Sequence, residues 1–238
     1  EQAILDLFER LRIESEAAGG AFHALLGNHE LLNARLDFRY VTDGGYADFM
    51  DVVEYDPSDS IQVWDGSSAS FRSSTMAEFE PHQRPRVAAF MPGGPYANLL
   101  AKRQVIARVG DNIFVHGGVL PEHVAYGIDA INSSAQAWLR GDADLPSVLS
   151  GSFSPQWTRL YSDDPDSSAC SVLEKALNAL EAKRIVMGHT IQQSGITSAC
   201  GARAWRIDVA MAAYYAARND YGGSVEVLEI VGDSVRVL

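Results

Sequence analysis

A chain of 238 residues, 47% hydrophobic and 21% charged, is long and apolar enough to bury the core of one large globular domain. Its 31 acidic residues outnumber 19 basic ones, and the formal net charge of −12 is spread along the sequence, which excludes a nucleic-acid backbone as the natural partner. No apolar run approaches the ~20 residues of a membrane span, and the opening Glu1-Gln2-Ala3-Ile4 lacks the basic and apolar regions of a signal peptide, so a soluble chain of undefined compartment is expected.

Ile4, Leu5, Phe8, Leu11 and Ile13 fall on one helical face, and Gly19-Gly20 ends that helix. Phe22 to Leu26 then reads as a buried strand, with His23 inside it in a structural role. It runs into Gly27-Asn28-His29-Glu30, and Leu31-Leu32-Asn33 can start a helix. Helix, strand and polar loop in that order describe an α/β layered fold, in which ligands bind at the carboxyl ends of strands.

From Asp37 to about Met91 the periodicity is poor. Asp43-Gly44-Gly45, Asp56-Pro57-Ser58-Asp59 and Ser67-Ser68-Ala69-Ser70 have loop composition, and short helical pieces are expected at 46–53 and 60–64. A segment of this length, about 41–95, reads as an insertion or lid within a single domain, 1–238. Pro92-Gly93-Gly94-Pro95 makes a rigid turn before a helical piece at 96–100.

Two strands follow at 104–109 and 112–116, turned at Gly110-Asp111, and the second ends in His116-Gly117-Gly118. One helix is expected over 121–140, a loop over 141–155, and an amphipathic helix over 171–183. A strand at 184–187 ends in Gly188-His189-Thr190. Strands are expected again at 196–199 and 202–209, and Gly222-Gly223 introduces a last hairpin of 225–230 with 234–238, turned at Gly232-Asp233. His82 and His123 read as surface residues, and Trp157 and Trp205 as core. The only cysteines, Cys170 and Cys200, are too few for a disulfide framework and are expected as two unlinked thiols. One precedes a helix and the other follows a strand, so an oxidising compartment would let them pair if they are neighbours.

Three strands thus end alike: Gly27-Asn28-His29-Glu30, His116-Gly117-Gly118 and Gly188-His189-Thr190. Imidazoles gathered at one rim with an amide oxygen are good ligands for zinc, iron or manganese, and the flanking glycines would let backbone approach a bound anion.

In this order the motifs resemble the last three signatures of the metallophosphoesterases of the phosphoprotein-phosphatase type, and within them the Shewanella-like protein phosphatases. Asp37-Phe38-Arg39-Tyr40-Val41, Val115 through Pro121, Trp157-Thr158-Arg159 and Trp205-Arg206-Ile207-Asp208-Val209 are similar to that branch. The resemblance implies a calcineurin-like β-sandwich of mixed sheets flanked by helices. It implies removal of phosphate from phosphoproteins, at phosphotyrosine or phosphoserine/threonine, by a hydroxide held on a dinuclear metal centre of manganese, iron or zinc. Asn28, His116 and His189 would bind the second metal, His29 would protonate the leaving oxygen, and Arg159 would hold phosphate oxygens unless it pairs with Asp163 or Asp164. Glu30 would brace the loop. The family's first two signatures, Gly-Asp-x-His and Gly-Asp-x-x-Asp-Arg-Gly, are absent. They supply the other metal's ligands, so this chain holds ligands for one metal and an upstream segment is expected. Ala210 stands where relatives commonly carry Gly. The competing readings are a phosphate-ester-binding protein without catalysis and a dinucleoside polyphosphate hydrolase of the same superfamily.

Overall fold

A computed structural model describes residues 1–52, 54–65, 70–212 and 225–238. These form two compact units, Glu1–Gln104 with Asn132–Ser150, and Val105–Ile131 with Gly151–Leu238.

In the first unit, α1 (Gln2–Ala17) ends where Gly19 takes φ 79. Its apolar face is narrower than the spacing suggests. Leu5, Phe8 and Leu11 are half-buried, whereas Ile4 and Ile13 are 57% and 58% exposed. Among the described residues the apolar run before Gly27 makes a single parallel bridge, Leu25 with Gln104, supported by a 2.9 Å hydrogen bond from Leu26 N–H to the Gln104 carbonyl. His23 is therefore exposed rather than part of a buried strand.

Helix α2 (Asn28–Ala34) begins at Asn28, earlier than expected, so His29 and Glu30 sit in its first turn. Its end is a Schellman turn: Asp37 N–H donates to the Leu32 carbonyl and Leu36 N–H to that of Asn33, with Leu36 at φ 62.

The irregular segment that follows has its own core. Helix α3 (Asp43–Ala47) is capped by Thr42, whose Oγ1 accepts from Gly45 N–H at 3.2 Å. Residues 60–64, expected as helix, are strand β1 (Ser60–Trp64), paired antiparallel with β2 (Phe71–Thr75). The reason is period two: Ile61 and Val63 are buried while Ser60 and Gln62 face solvent. The loop residues Ser67, Ser68 and Ala69 lie outside the described residues, as do Val53 and the Gly222-Gly223 pair. Helices α4 (Arg84–Phe90) and α5 (Pro95–Leu100) follow, the second entered through the Pro-Gly-Gly-Pro turn. Leu36, Phe38, Tyr46, Ile61, Val63, Met76 and Val87 make one buried cluster.

The second unit is a five-stranded mixed sheet in the order β3-β4-β5-β7-β6, with strands β3 (Ile106–Val109), β4 (Asn112–Val115), β5 (Arg184–Met187), β6 (Thr197–Ala199) and β7 (Ala204–Arg206). The β3–β4 and β6–β7 pairs are antiparallel, whereas β4–β5 and β5–β7 are parallel. Parallel neighbours send their carboxyl ends the same way, so the residues after β4 and β5 emerge side by side. All four residues of β5 are buried, as a central strand requires. The helix expected over 121–140 is two, α6 (Pro121–Tyr126) in this unit and α7 (Ile128–Leu139), whose residues from Asn132 on belong to the first unit, broken at Gly127 with φ 99. Helix α8 (Ser167–Ala179) starts four residues earlier than read, because Asp166 caps it by accepting from Ala169 N–H at 2.8 Å. The final hairpin is β8 (Leu228–Val231) with β9 (Ser234–Val237).

Cys170 and Cys200 are not free thiols. They form a disulfide, with Cα atoms 5.2 Å apart, that ties α8 to the β6–β7 turn. Ala210 adopts φ 54, a left-handed backbone in which glycine is the unstrained residue.

Candidate active site

His116 follows β4 and His189 lies two residues beyond β5, so the parallel register brings both to one sheet rim. The two imidazoles touch: His116 Nε2 and His189 Nδ1 are 3.0 Å apart, with ring planes at 62°. One of these nitrogens carries the shared hydrogen, which fixes the tautomers relative to each other. Gly188 N–H donates to the His116 carbonyl at 3.0 Å and locks the two strand ends together. His189 is buried and takes φ 65, a left-handed conformation uncommon outside glycine. Trp157, half-buried rather than core, meets its ring edge-on at 5.6 Å.

Arg159 pairs with neither Asp163 nor Asp164. Its Nη1 donates to the His189 carbonyl at 2.5 Å and to Thr190 Oγ1 at 2.8 Å. Asp164 instead stands 3.5 Å from Arg206. Thr190 Oγ1 also shares a 2.6 Å hydrogen bond with Ser162, and Gln192 donates to the carbonyls of both Thr190 and Ser162. This polar bracket holds Arg159 in place. Among the described residues nothing bonds its Nε–Nη2 edge, the edge with which Arg39 takes both oxygens of Asp37 at 2.9 and 2.6 Å. Thr190 was visible in the Gly-His-Thr motif; Ser162 and Gln192 left no sequence signal.

The glycines after His116 serve packing rather than a bound anion. Gly117 and Gly118 N–H both donate to the Pro155 carbonyl, at 2.9 and 3.0 Å. A Cβ on Gly117 would meet the Pro155 and Thr158 carbonyl oxygens at 2.8 and 2.9 Å. Only glycine lets the Arg159-bearing segment come this close. Tyr161 secures the same segment by donating to the Val119 carbonyl, and burial pushes its phenol pKa up. His123, expected at the surface, is buried: its Nδ1 accepts from Leu120 N–H at 3.0 Å, and burial lowers its pKa.

Asn28 and His29 open α2 in the first unit. Asn28 is buried and His29 is exposed. Glu30 braces the turn as expected, accepting from Gly27 N–H at 2.8 Å. The His29 ring stacks on Tyr40, centroids 4.9 Å apart and planes within 10°. Among the described residues no three His, Cys, Asp or Glu side chains form a group able to hold a metal, so the donors brought together are the two imidazoles. No helix of the described residues is long and apolar enough to cross a membrane.

The fold is shared with solved phosphatases. A mutant of a cold-active protein tyrosine phosphatase superposes with a TM-score of 0.68 at 18% identity, over 99% of this chain and 61% of that one. The cold-active protein-tyrosine phosphatase of a psychrophilic Shewanella species gives 0.65 at 20% identity, over 95% and 58%. By sequence the chain is similar to a Shewanella-like protein phosphatase: it is 38% identical, over its whole length, to Shewanella-like protein phosphatase 2 of Arabidopsis thaliana. It spans 64% of that protein. An uncharacterized protein of Acanthamoeba polyphaga mimivirus is 29% identical over 95% of this chain and 94% of its own length. No protein-family model matches the chain.

Proposed function

We propose that the protein is a metal-dependent phosphomonoesterase acting on phosphoproteins, at phosphotyrosine or phosphoserine/threonine. The observation that carries this reading is the His116–His189 imidazole pair at 3.0 Å, with Arg159 anchored on the carbonyl of His189 itself. Imidazole donors suit manganese, iron or zinc. Two nitrogens on one tetrahedral ion with bonds of about 2.0–2.1 Å stand roughly 3.3 Å apart, a small opening from the contact seen. His116 and His189 are therefore the residues that would hold an ion through the nitrogens that now face each other, the hydrogen between them shifting to the other nitrogen of its own ring. Asn28 joins them by motif correspondence alone. A dinuclear centre, when bound, supplies Lewis acidity and a nucleophile at neutral pH.

The chain's own groups do the rest. Arg159 offers its Nε–Nη2 edge to two phosphoryl oxygens, and its Nη1 contacts hold the guanidinium ready before substrate arrives. His29, next to Asn28 and exposed, gives a proton to the leaving oxygen. The paired cysteines support a route without a thiol nucleophile. The five-stranded mixed sheet supports reading the fold as one layer of a metallophosphoesterase β-sandwich, with 41–95 as an entrance segment.

Calorimetric titration of Mn or Zn into the chain tests the metal site. Binding should be lost in His189→Ala and in His116→Ala, and undiminished binding in both variants sinks the assignment. In the active enzyme, His29→Ala should abolish turnover of phosphopeptides with metal content retained; surviving turnover removes His29 from the acid role. The absence, among the described residues, of a three-membered His/Cys/Asp/Glu group favours a second reading, phosphate-ester binding without catalysis. Phosphopeptide bound stoichiometrically and released intact, with metal present, would establish it.

A further inference from the structure

We infer that Tyr40, with the buried pair Asn33 and Arg86, positions the His29 imidazole for proton transfer; this rests on the acid role proposed above for His29. An exposed histidine in a helix's first turn rotates freely about two side-chain bonds unless something confines it. Here the confinement is built in two parts.

The main chain is fixed through Asn33. Its Nδ2 donates to the His29 carbonyl at 2.8 Å, and its own carbonyl takes Leu36 N–H in the Schellman turn. Its Oδ1 accepts from Arg86 Nε at 2.8 Å, so the amide cannot flip. Arg86 is 2% exposed, sits 4.8 Å from the rings of both Phe49 and Phe90, and donates through Nη1 to the Gly45 carbonyl at 2.7 Å. Arg86 belongs to the segment expected as a lid, yet it reaches the residue next but three to His29.

The ring is fixed by Tyr40. The Schellman turn reverses the chain after α2, and the Arg39–Asp37 pair and a 2.9 Å bond from Val41 N–H to the Phe38 carbonyl hold the return stretch. That geometry lays the Tyr40 ring flat on the His29 ring at 4.9 Å. A stack of this kind favours one ring orientation by about 2- to 10-fold over an unstacked side chain.

The first test needs no catalysis. The His29 ring protons lie over an aromatic face and resonate upfield. In NMR spectra of this chain, Tyr40→Leu should move them downfield, whereas Tyr40→Phe should leave them in place. Unmoved signals in Tyr40→Leu overturn the proposal. The second test uses the active enzyme with phenyl phosphate, whose leaving oxygen needs a proton, and 2,4-dinitrophenyl phosphate, whose leaving oxygen does not. Tyr40→Leu should lower kcat for phenyl phosphate about 2- to 10-fold at unchanged KM, spare the dinitrophenyl ester, and be rescued by Tyr40→Phe. Equal losses on both esters, or a change confined to KM, overturn it. His29→Ala separates the two levels. If that variant discriminates steeply between the esters while Tyr40→Leu does not, only the positioning role fails. If His29→Ala treats both esters alike, the acid role fails and takes this inference with it.

Discussion

Breaking the Cys170–Cys200 bridge is the most quantitative perturbation the structure offers. The disulfide closes a loop of 30 residues and joins the first turns of α8 to the tip of the β6–β7 turn. The same contact is made a second time without covalent help: Arg203, in that turn, lies 3.2 Å from Glu174 and from Asn178 on α8. Leu173, Ala176 and Leu177 also bury the inner face of α8. Reduction should therefore leave the native fold in place and act mainly by restoring freedom to the unfolded chain. For a loop of this length the loss is about 3.5 kcal/mol at 25 °C. For a chain of this size that lowers the melting temperature by about 7–14 °C. Thermal melts should show that fall on adding reductant, and the reduced protein and Cys170→Ser/Cys200→Ser should agree with each other within error. Thiol titration of denatured protein should find no free thiol before reduction and both cysteines after it. Two free thiols in untreated protein would remove the bridge. Confirmed reduction with an unchanged melting temperature would refute the loop-entropy reasoning.

Two further perturbations probe the second unit. Gly117→Ala drives a Cβ into the Pro155 and Thr158 carbonyl oxygens, which are backbone and cannot rotate away, so a loss of about 1–3 kcal/mol is expected in denaturant unfolding; an unchanged midpoint would show that the Arg159-bearing segment yields. Burial holds the His123 pKa below its ordinary 6.5, so below that pH the unfolded chain binds a proton the native one refuses. Stability from this group is complete above pH 6.5 and falls as the pH drops towards the folded-state pKa, by at most about 1.4 kcal/mol per pH unit for one proton. His123→Gln should flatten that part of the unfolding profile between pH 7.5 and pH 5, and an identical slope in the variant would assign the effect elsewhere.

What was legible in the sequence was the chemistry that strand ends display. An apolar run closing on a histidine beside glycine leaves few readings, and β4 and β5 deliver His116 and His189 into contact as the motifs suggest. Segments whose structure depends on partners distant in sequence were opaque. Residues 60–64 carry a period-two alternation, but five residues are short enough to read as a helical piece until β2 supplies the pairing. His123 was misread because polarity suggests solvent, whereas its ring replaces a side-chain cap at the start of α6 and hydrogen-bonds Phe153. The same blindness hid Arg86. A buried arginine announces itself only once Asn33, Gly45, Phe49 and Phe90 surround it. Its guanidinium is stabilised because fixed acceptors replace lost water, and removing any one leaves a buried donor unsatisfied at about 1–3 kcal/mol. Such a group tolerates little displacement, and through Asn33 that stiffness reaches the backbone of His29. His29, His116, His189 and Arg159 could be singled out from local spelling; the groups that hold His29 and Arg159 still are defined by non-local contacts, and only the folded chain displays them.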